Sequence, residues 1–246
     1  MEYIIEVENL SLNYRFIKSL SFKEWASNSF SLGKKESKIK TFKALQDVSF
    51  NIEKGKTVGI IGENGAGKST LLKVLANVYA PDEGIVKINT DSISLLTLAT
   101  GFKSDLSGLE NIYINGLLLG LSKKELDEKF EEITVFSELG GFLANPVRTY
   151  SSGMKSKLAF SIASHVNPDL LFVDEVFSVG DARFRKKSGA KIKELINSDR
   201  TVVMVSHSEE QIKELCNEVI WLDKGKLIAQ GETTEILKEY NRFSNR

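Results

Sequence analysis

Thr57-Val58-Gly59-Ile60-Ile61-Gly62-Glu63-Asn64-Gly65-Ala66-Gly67-Lys68-Ser69-Thr70 is the stretch on which the reading of the whole chain turns. Thr57 to Ile61 is short and apolar on both faces, as a buried parallel strand is. Gly62 to Ser69 then spells G-x-x-x-x-G-K-S, a loop that wraps phosphate, and Leu71, Leu72 and Leu75 continue as a helix. Glycines let backbone N–H groups turn inward, and the helix start adds the positive end of its dipole. In such a loop Gly62, Glu63, Asn64, Gly65, Ala66, Gly67, Lys68, Ser69 and Thr70 form the cradle. Lys68 reaches the β- and γ-phosphates, and the Ser69 hydroxyl ligates Mg²⁺.

Further along, Leu170-Leu171-Phe172-Val173 reads as a second buried strand that delivers Asp174 and Glu175 at its C-terminal end. Open α/β sheets bind ligands at that end. Asp174 is placed to hold Mg²⁺, and Glu175 to polarise the water that attacks a γ-phosphate. The plainer alternative is that one of the two only caps a helix. A third apolar run, Thr201 to Ser206, ends in His207, at the same sheet edge. A neutral imidazole there hydrogen-bonds a γ-phosphate and positions the water, whereas a structural histidine is the alternative. His165, inside a helical stretch, reads as structural.

Around these runs, residues 3–14 read as a strand region, 44–61 as two strands with a turn at Glu53-Lys54-Gly55-Lys56, and 84–96 as sheet. From about 105 to 165 the pattern is helical. Ser122-Lys123-Lys124-Glu125 is a capping box that opens a helix with Leu126, Phe130 and Ile133 on one stripe. Val219 to Leu222 is one more β-type run, and a helical tail spans roughly 233–242, within a C-terminal stretch 232–246. Strands alternating with helices predict an α/β fold with a helical insertion.

Composition narrows the function. Lys+Arg and Asp+Glu are both 33 among 246 residues, so net charge is zero and bulk nucleic-acid binding gains no support. The single Cys216 cannot form an internal disulfide, which fits a reducing compartment. The N-terminus is acidic and does not read as a signal peptide, and no apolar run approaches the roughly 18 residues of a membrane span. The segment 16–43 breaks the rhythm with seven lysines against two glutamates, a charge of +5, among Phe16, Ile17, Leu20, Phe22, Trp25, Phe30 and Leu32. Basic and bulky apolar residues suit the cytoplasmic face of an anionic bilayer. A solvated loop packed on its own domain, or reach for a partner protein, are the other readings.

Between the phosphate loop and the Asp174 strand lies Tyr150-Ser151-Ser152-Gly153-Met154. In this order the motifs resemble the nucleotide-binding subunit of ATP-binding-cassette (ABC) transporters, over nearly the whole chain. The resemblance implies an α/β P-loop NTPase (RecA-like) core with an N-terminal antiparallel β subdomain and a helical subdomain over 98–160, all in a single ATPase domain 1–246. It implies ATP and Mg²⁺ as cofactors. It also implies a head-to-tail homodimer, in which Ser151, Ser152 and Gly153 of one copy cap the ATP held by the other. Ser178-Val179-Gly180-Asp181 matches the loop after the catalytic Glu175, with Asp181 acting across the dimer, and His207 matches the switch histidine. Tyr14 matches the aromatic that stacks on adenine, with Phe16 as a rival because the 16–43 segment intervenes.

Two departures from the usual pattern select a branch. Tyr150, Ser152 and Met154 replace three residues of Leu-Ser-Gly-Gly-Gln, and residues 97–103 hold no glutamine, so no γ-phosphate sensor is assigned there. The altered signature, Ser107-Gly108-Leu109-Glu110-Asn111-Ile112, Phe136-Ser137-Glu138-Leu139-Gly140 and the 16–43 insertion resemble the polysaccharide exporters. That branch implies an ATP-hydrolysing subunit at the cytoplasmic face of the bacterial cell membrane. It works with two copies of a polytopic permease on an undecaprenyl-linked polysaccharide such as O-antigen, and with no nucleic acid. Teichoic-acid or capsule export, or a soluble non-transport ATPase, are the alternatives. As the sequence ends at Arg246, the C-terminal carbohydrate-binding domain of some members is expected to be lacking.

Overall fold

The computed structural model describes residues 2–16, 40–96, 101–174, 180–196, 198–206 and 208–244. Two sheets carry the fold. The first is antiparallel, ordered β2-β1-β4, from β1 (Tyr3–Phe16), β2 (Lys40–Glu53) and β4 (Glu83–Ile88). The second is ordered β5-β6-β7-β3-β8-β9. Its strands are β3 (Thr57–Ile61), β5 (Ile93–Leu96), β6 (Leu170–Asp174), β7 (Thr201–Val205), β8 (Glu218–Asp223) and β9 (Lys226–Glu232). All neighbours pair parallel except β8 with β9.

The central strands are buried on both faces because helices or the other sheet cover each side. Alternation then sorts their side chains. Val58, Ile60, Leu170, Phe172, Val203 and Val205 join the core shared with the antiparallel sheet and α1 (Lys68–Leu75). Leu171, Val173, Val202, Met204, Val219 and Trp221 join the opposite core, with Phe184 and Ile192 of α5 (Ala182–Ile196) and Ile236 of α7 (Thr233–Ser244). The short α6 (Glu209–Leu215) links β7 to β8.

Between β5 and β6 lie α2 (Gly108–Leu118), α3 (Lys123–Ser137) and α4 (Ser152–Ala163), which enclose a separate apolar core around Ile112, Leu126, Ile133, Leu158 and Ile162. The expected capping box is formed: Ser122 Oγ accepts from the Glu125 N–H and Glu125 accepts from the Ser122 N–H at 2.8 Å. Ser107 and Glu110 build the same device on α2. Among the described residues no helix is long and apolar enough to cross a membrane.

Three sequence expectations shift. The first strand runs on to Phe16, and Lys40 to Lys43 belong to its partner strand, because Tyr14↔Phe42, Arg15↔Thr41 and Phe16↔Lys40 pair across the ribbon. The 16–43 segment is thereby reduced at both ends, and residues 17–39 lie outside the described residues. The 84–96 region is sheet as expected, but in two strands that belong to different sheets. The turn at Asn89-Thr90-Asp91-Ser92 sends β4 to the antiparallel sheet and β5 to the parallel one, with Thr90 Oγ1 donating to Asp169 at 2.8 Å.

Candidate functional site

Strand register brings the sequence motifs to one edge. Asp174 pairs with Val205, and Val205 pairs with Ile60, so β6, β7 and β3 reach their C-terminal ends side by side. The loop from Gly62 to Gly67 leaves that edge directly. Gly62 has φ of 146° and Gly67 φ of 104°, and a Cβ would come within 2.2 Å of Leu222 O at the first and 2.7 Å of Ala44 O at the second. Only glycine fits either place. The loop is anchored from outside: Gly225 donates to Ala66 O at 3.0 Å, and Gln46 donates its backbone N–H to Gly225 O at 2.8 Å.

Inside the loop, Lys68 is only 7% exposed. Its Nζ donates to Gly62 O at 2.7 Å and Glu63 O at 3.0 Å. These bonds curl the loop around the ammonium. A bond from Leu71 N–H to Gly67 O at 2.8 Å opens α1, and the backbone N–H groups of its first turn head the helix. A cavity of about 220 Å³ opens between this helix start, Asn64, Gly65 and Phe42. It offers one ammonium and several amide donors to an anion. Ser69 lines this cavity and Asp174 ends β6 at the same sheet edge; a hydroxyl and a carboxylate are hard oxygen groups of the kind Mg²⁺ takes together with phosphate.

Tyr14 and Phe42 face the loop differently. Tyr14 is half-buried, with its Oη 3.2 Å from Thr70 Oγ1 and its ring edge-on to Tyr79. Phe42, its cross-strand partner, is 51% exposed and lines the cavity. Sequence reading passed over Phe42, since it lies far from Tyr14 along the chain and only the ribbon register sets the two side by side. The Phe16 side chain lies outside the described set.

The second motif forms elsewhere. Ser151 caps α4, accepting from Met154 N–H at 3.2 Å, while Ser152 is exposed and Gly153 faces open space except for Ser151 Oγ. Tyr150 is buried and donates to Phe142 O at 2.7 Å, which fastens the loop from behind. Ser151, Ser152 and Gly153 line a cavity of about 530 Å³ with Lys157, Gly180 and Asp181, and among the described residues it shares no lining residue with the cavity at the phosphate loop. Asp181 is engaged within its own chain: Oδ1 accepts from Phe184 N–H at 3.0 Å and Oδ2 from Lys157 Nζ at 2.6 Å. The Lys157 ammonium is the main reason its carboxyl is held down at about 2.

Glu175, Ser178, Val179 and His207 lie outside the described residues, as do residues 97–100. The residues that flank position 207 are tied to α6, with Ser206 Oγ donating to Gln211 at 2.7 Å and the Ser208 N–H donating to Ser206 Oγ at 3.1 Å. After residue 100, Lys103 is held at both backbone groups by the buried Asn111 side chain, at 2.8 and 3.0 Å. His165 has the structural place expected of it: it is buried, bonds the Ser161 carbonyl and meets Phe136 edge-on, and burial lowers its pKa. Cys216 is also buried, and its thiol is pushed up to about 12.

Comparison with known proteins adds the family. Residues 45–178 match the family model described as ABC transporter. The O-antigen export system ATP-binding protein RfbB of Myxococcus xanthus is 46% identical over 209 residues, covering 85% of this chain and 48% of that protein. The teichoic acids export ATP-binding protein TagH of Lactococcus lactis is 43% identical over 239 residues, covering 97% of this chain and 51% of the relative. ABC transporter protein AbcA of Aeromonas salmonicida is 40% identical, covering 83% and 67% respectively. The chain thus spans about half the length of the first two relatives. Among solved structures, an ATP-binding subunit of an ABC transporter superposes with a TM-score of 0.73 at 21% identity, covering 97% of this chain and 93% of that one. A post-hydrolysis dimer of the ATP-binding cassette MJ0796 superposes with a TM-score of 0.68 at 22% identity, covering 93% and 98%. These likenesses reproduce the fold described above. The matched span runs from β2 through the phosphate loop and past Asp174, and by it this chain belongs to the ABC transporter family.

Proposed function

We propose that this chain is the ATP-hydrolysing subunit of a transporter that exports a lipid-linked polysaccharide, an O-antigen or related surface glycan, across the bacterial cytoplasmic membrane. The observation that carries the reading is identity above 40% along most of the chain to proteins named for O-antigen and teichoic-acid export, with an intact phosphate loop at the sheet edge. The triphosphate lies on Lys68 and the amides of 65–70. Ser69 and Asp174 would hold Mg²⁺, which would neutralise part of the phosphate charge. Glu175 accepts the proton of the attacking water, and His207 hydrogen-bonds the γ-phosphate.

One chain holds only half of the γ-phosphate's surroundings. That the phosphate-loop cavity and the Ser151 cavity share no described residue supports a head-to-tail dimer, in which Ser151, Ser152 and Gly153 close on the partner's nucleotide. The dimer sits peripherally at the cytoplasmic face beneath two copies of a permease, with the helical insertion turned to it. Nucleotide binding favours the closed dimer and hydrolysis releases it, so each state biases a two-state element.

The adenine stacks on Phe42. Tyr14, the aromatic expected from sequence, stands beside it on the ribbon with its Oη 3.2 Å from Thr70 Oγ1 and is the alternative stacking residue. Base–aromatic stacking is worth about 1–3 kcal/mol, so Phe42→Ala raises the Kd for ATP about tenfold, whereas Tyr14→Ala raises it less. Titration with a fluorescent ATP analogue decides: a larger loss for Tyr14→Ala than for Phe42→Ala returns the stacking role to Tyr14.

The whole reading is tested by co-expression with a polytopic permease of a polysaccharide exporter, followed by reconstitution. ATP-dependent transport of a lipid-linked glycan is expected, and failure to associate with any permease removes the export function. In the same vesicles, Trp25→Ala keeps the ATPase of the isolated subunit and lowers transport. Unchanged transport makes 16–43 a solvated loop with no part in handling the lipid carrier.

A further inference from the structure

Lys157 lies on α4, the helix that Ser151 caps, and its side chain is 15% exposed. Its ammonium donates to Asp181 Oδ2 at 2.6 Å and stands 3.8 Å from Glu138 Oε2 and 5.1 Å from the centre of the Phe184 ring. Glu138 closes α3 in the left-handed region, with φ of 55°, and also meets Lys187 of α5 at 3.4 Å. Lys187 donates back to the Phe136 carbonyl at 3.0 Å. Three elements therefore meet at one charged cluster: the end of α3, the Ser151 helix and the start of α5. Beneath it Phe136, Phe160 and Phe184 pack ring against ring along the same seam.

An exposed ion pair in such a place would contribute little. This one differs, because the Lys157 ammonium is largely buried, stands over the Phe184 ring and is fixed between two carboxylates. Both oxygens of Asp181 are used: one holds Lys157, and the other accepts the Phe184 N–H in the first turn of α5. A shift of α4 must carry Asp181 and that turn with it, or break a short charge-assisted bond. Asp181 titrates at about 2, below its ordinary 3.8. The contribution of the pair is therefore complete above 3.8 and lost only as pH falls toward 2. It persists at every pH at which an ATPase is assayed.

We propose that Lys157 is a positioning residue for hydrolysis, which makes Asp181 and the first turn of α5 move with the Ser151 helix. The inference rests on the function proposed above and deepens it. Closure around a nucleotide bears on Ser151, and Lys157 transmits that displacement to Asp181, on the stretch of chain that leaves the catalytic carboxylate. Phosphate binding itself stays with the loop around Lys68.

The test is steady-state ATPase of the full chain. Lys157→Met keeps the stem and removes the charge, and Asp181→Asn keeps the oxygen that accepts the Phe184 N–H. Each lowers kcat about tenfold, the scale of a coupling contact, with KM within about twofold. The double variant falls no further than either single one, and Lys157→Arg recovers most of the lost rate. Additive losses, a rise in KM with kcat unchanged, or no effect of Lys157→Met overturn the coupling. If Lys157→Met does not fold, Asp181→Asn alone and combined with Lys157→Arg carries the same comparison. A wild-type chain that does not hydrolyse ATP would instead remove the proposed function, so the two failures are distinguishable.

Discussion

Lys68→Ala leaves a folded chain that no longer binds nucleotide. Among the described residues that line the phosphate-loop cavity the ammonium is the only cation, and it is seated on the carbonyls of Gly62 and Glu63. Removing it takes away the charge that faces the triphosphate and leaves those carbonyls, negative ends of dipoles, near the phosphates. Hydrogen bonds to charged groups contribute about 1.5–3 kcal/mol each, so loss of two such contacts weakens ATP at least about 10²-fold. Calorimetric titration measures it, and circular dichroism checks that the α/β content is kept. Normal affinity in this variant would end the assignment of the loop.

Glu175→Gln separates binding from turnover. Gln has the shape of Glu but cannot take a proton from water, so the nucleotide binds while the γ-phosphate stays in place. Loss of a well-placed general base typically costs about 10²-fold or more in kcat. With hydrolysis stalled, Mg-ATP holds two chains together, and size-exclusion chromatography shows a dimer that the ADP form does not. Full turnover would relieve Glu175 of its role. A stalled variant that stays monomeric with Mg-ATP, alone and beside its permease, would contradict the shared site.

Much of the site is written locally. The phosphate loop needs glycines at two positions where Cβ would strike Leu222 O and Ala44 O, and its lysine binds back within the same short loop, so consecutive residues carry the whole device. The β6 and β7 runs are apolar on both faces, and their ends mark the sheet edge. The capping boxes at Ser107 and Ser122 each complete themselves within one turn. Other features join residues distant in sequence. Phe42 reaches the phosphate loop only through its register with Tyr14. The continuous pattern over 84–96 hid a change of sheet, because alternation in a strand does not name its neighbour.

By itself the sequence determined most of the strands and helices and set the Gly62–Ser69 loop between a buried strand and a helix. Periodicity and loop chemistry act over a few residues and are readable in order. Tertiary structure alone decided the strand order β5-β6-β7-β3-β8-β9, the exposed aromatic beside the phosphate loop and the engagement of Asp181 by Lys157. Each depends on how separate elements pack, and a lysine in a helix looks the same in sequence whether its charge meets water or a carboxylate across a seam.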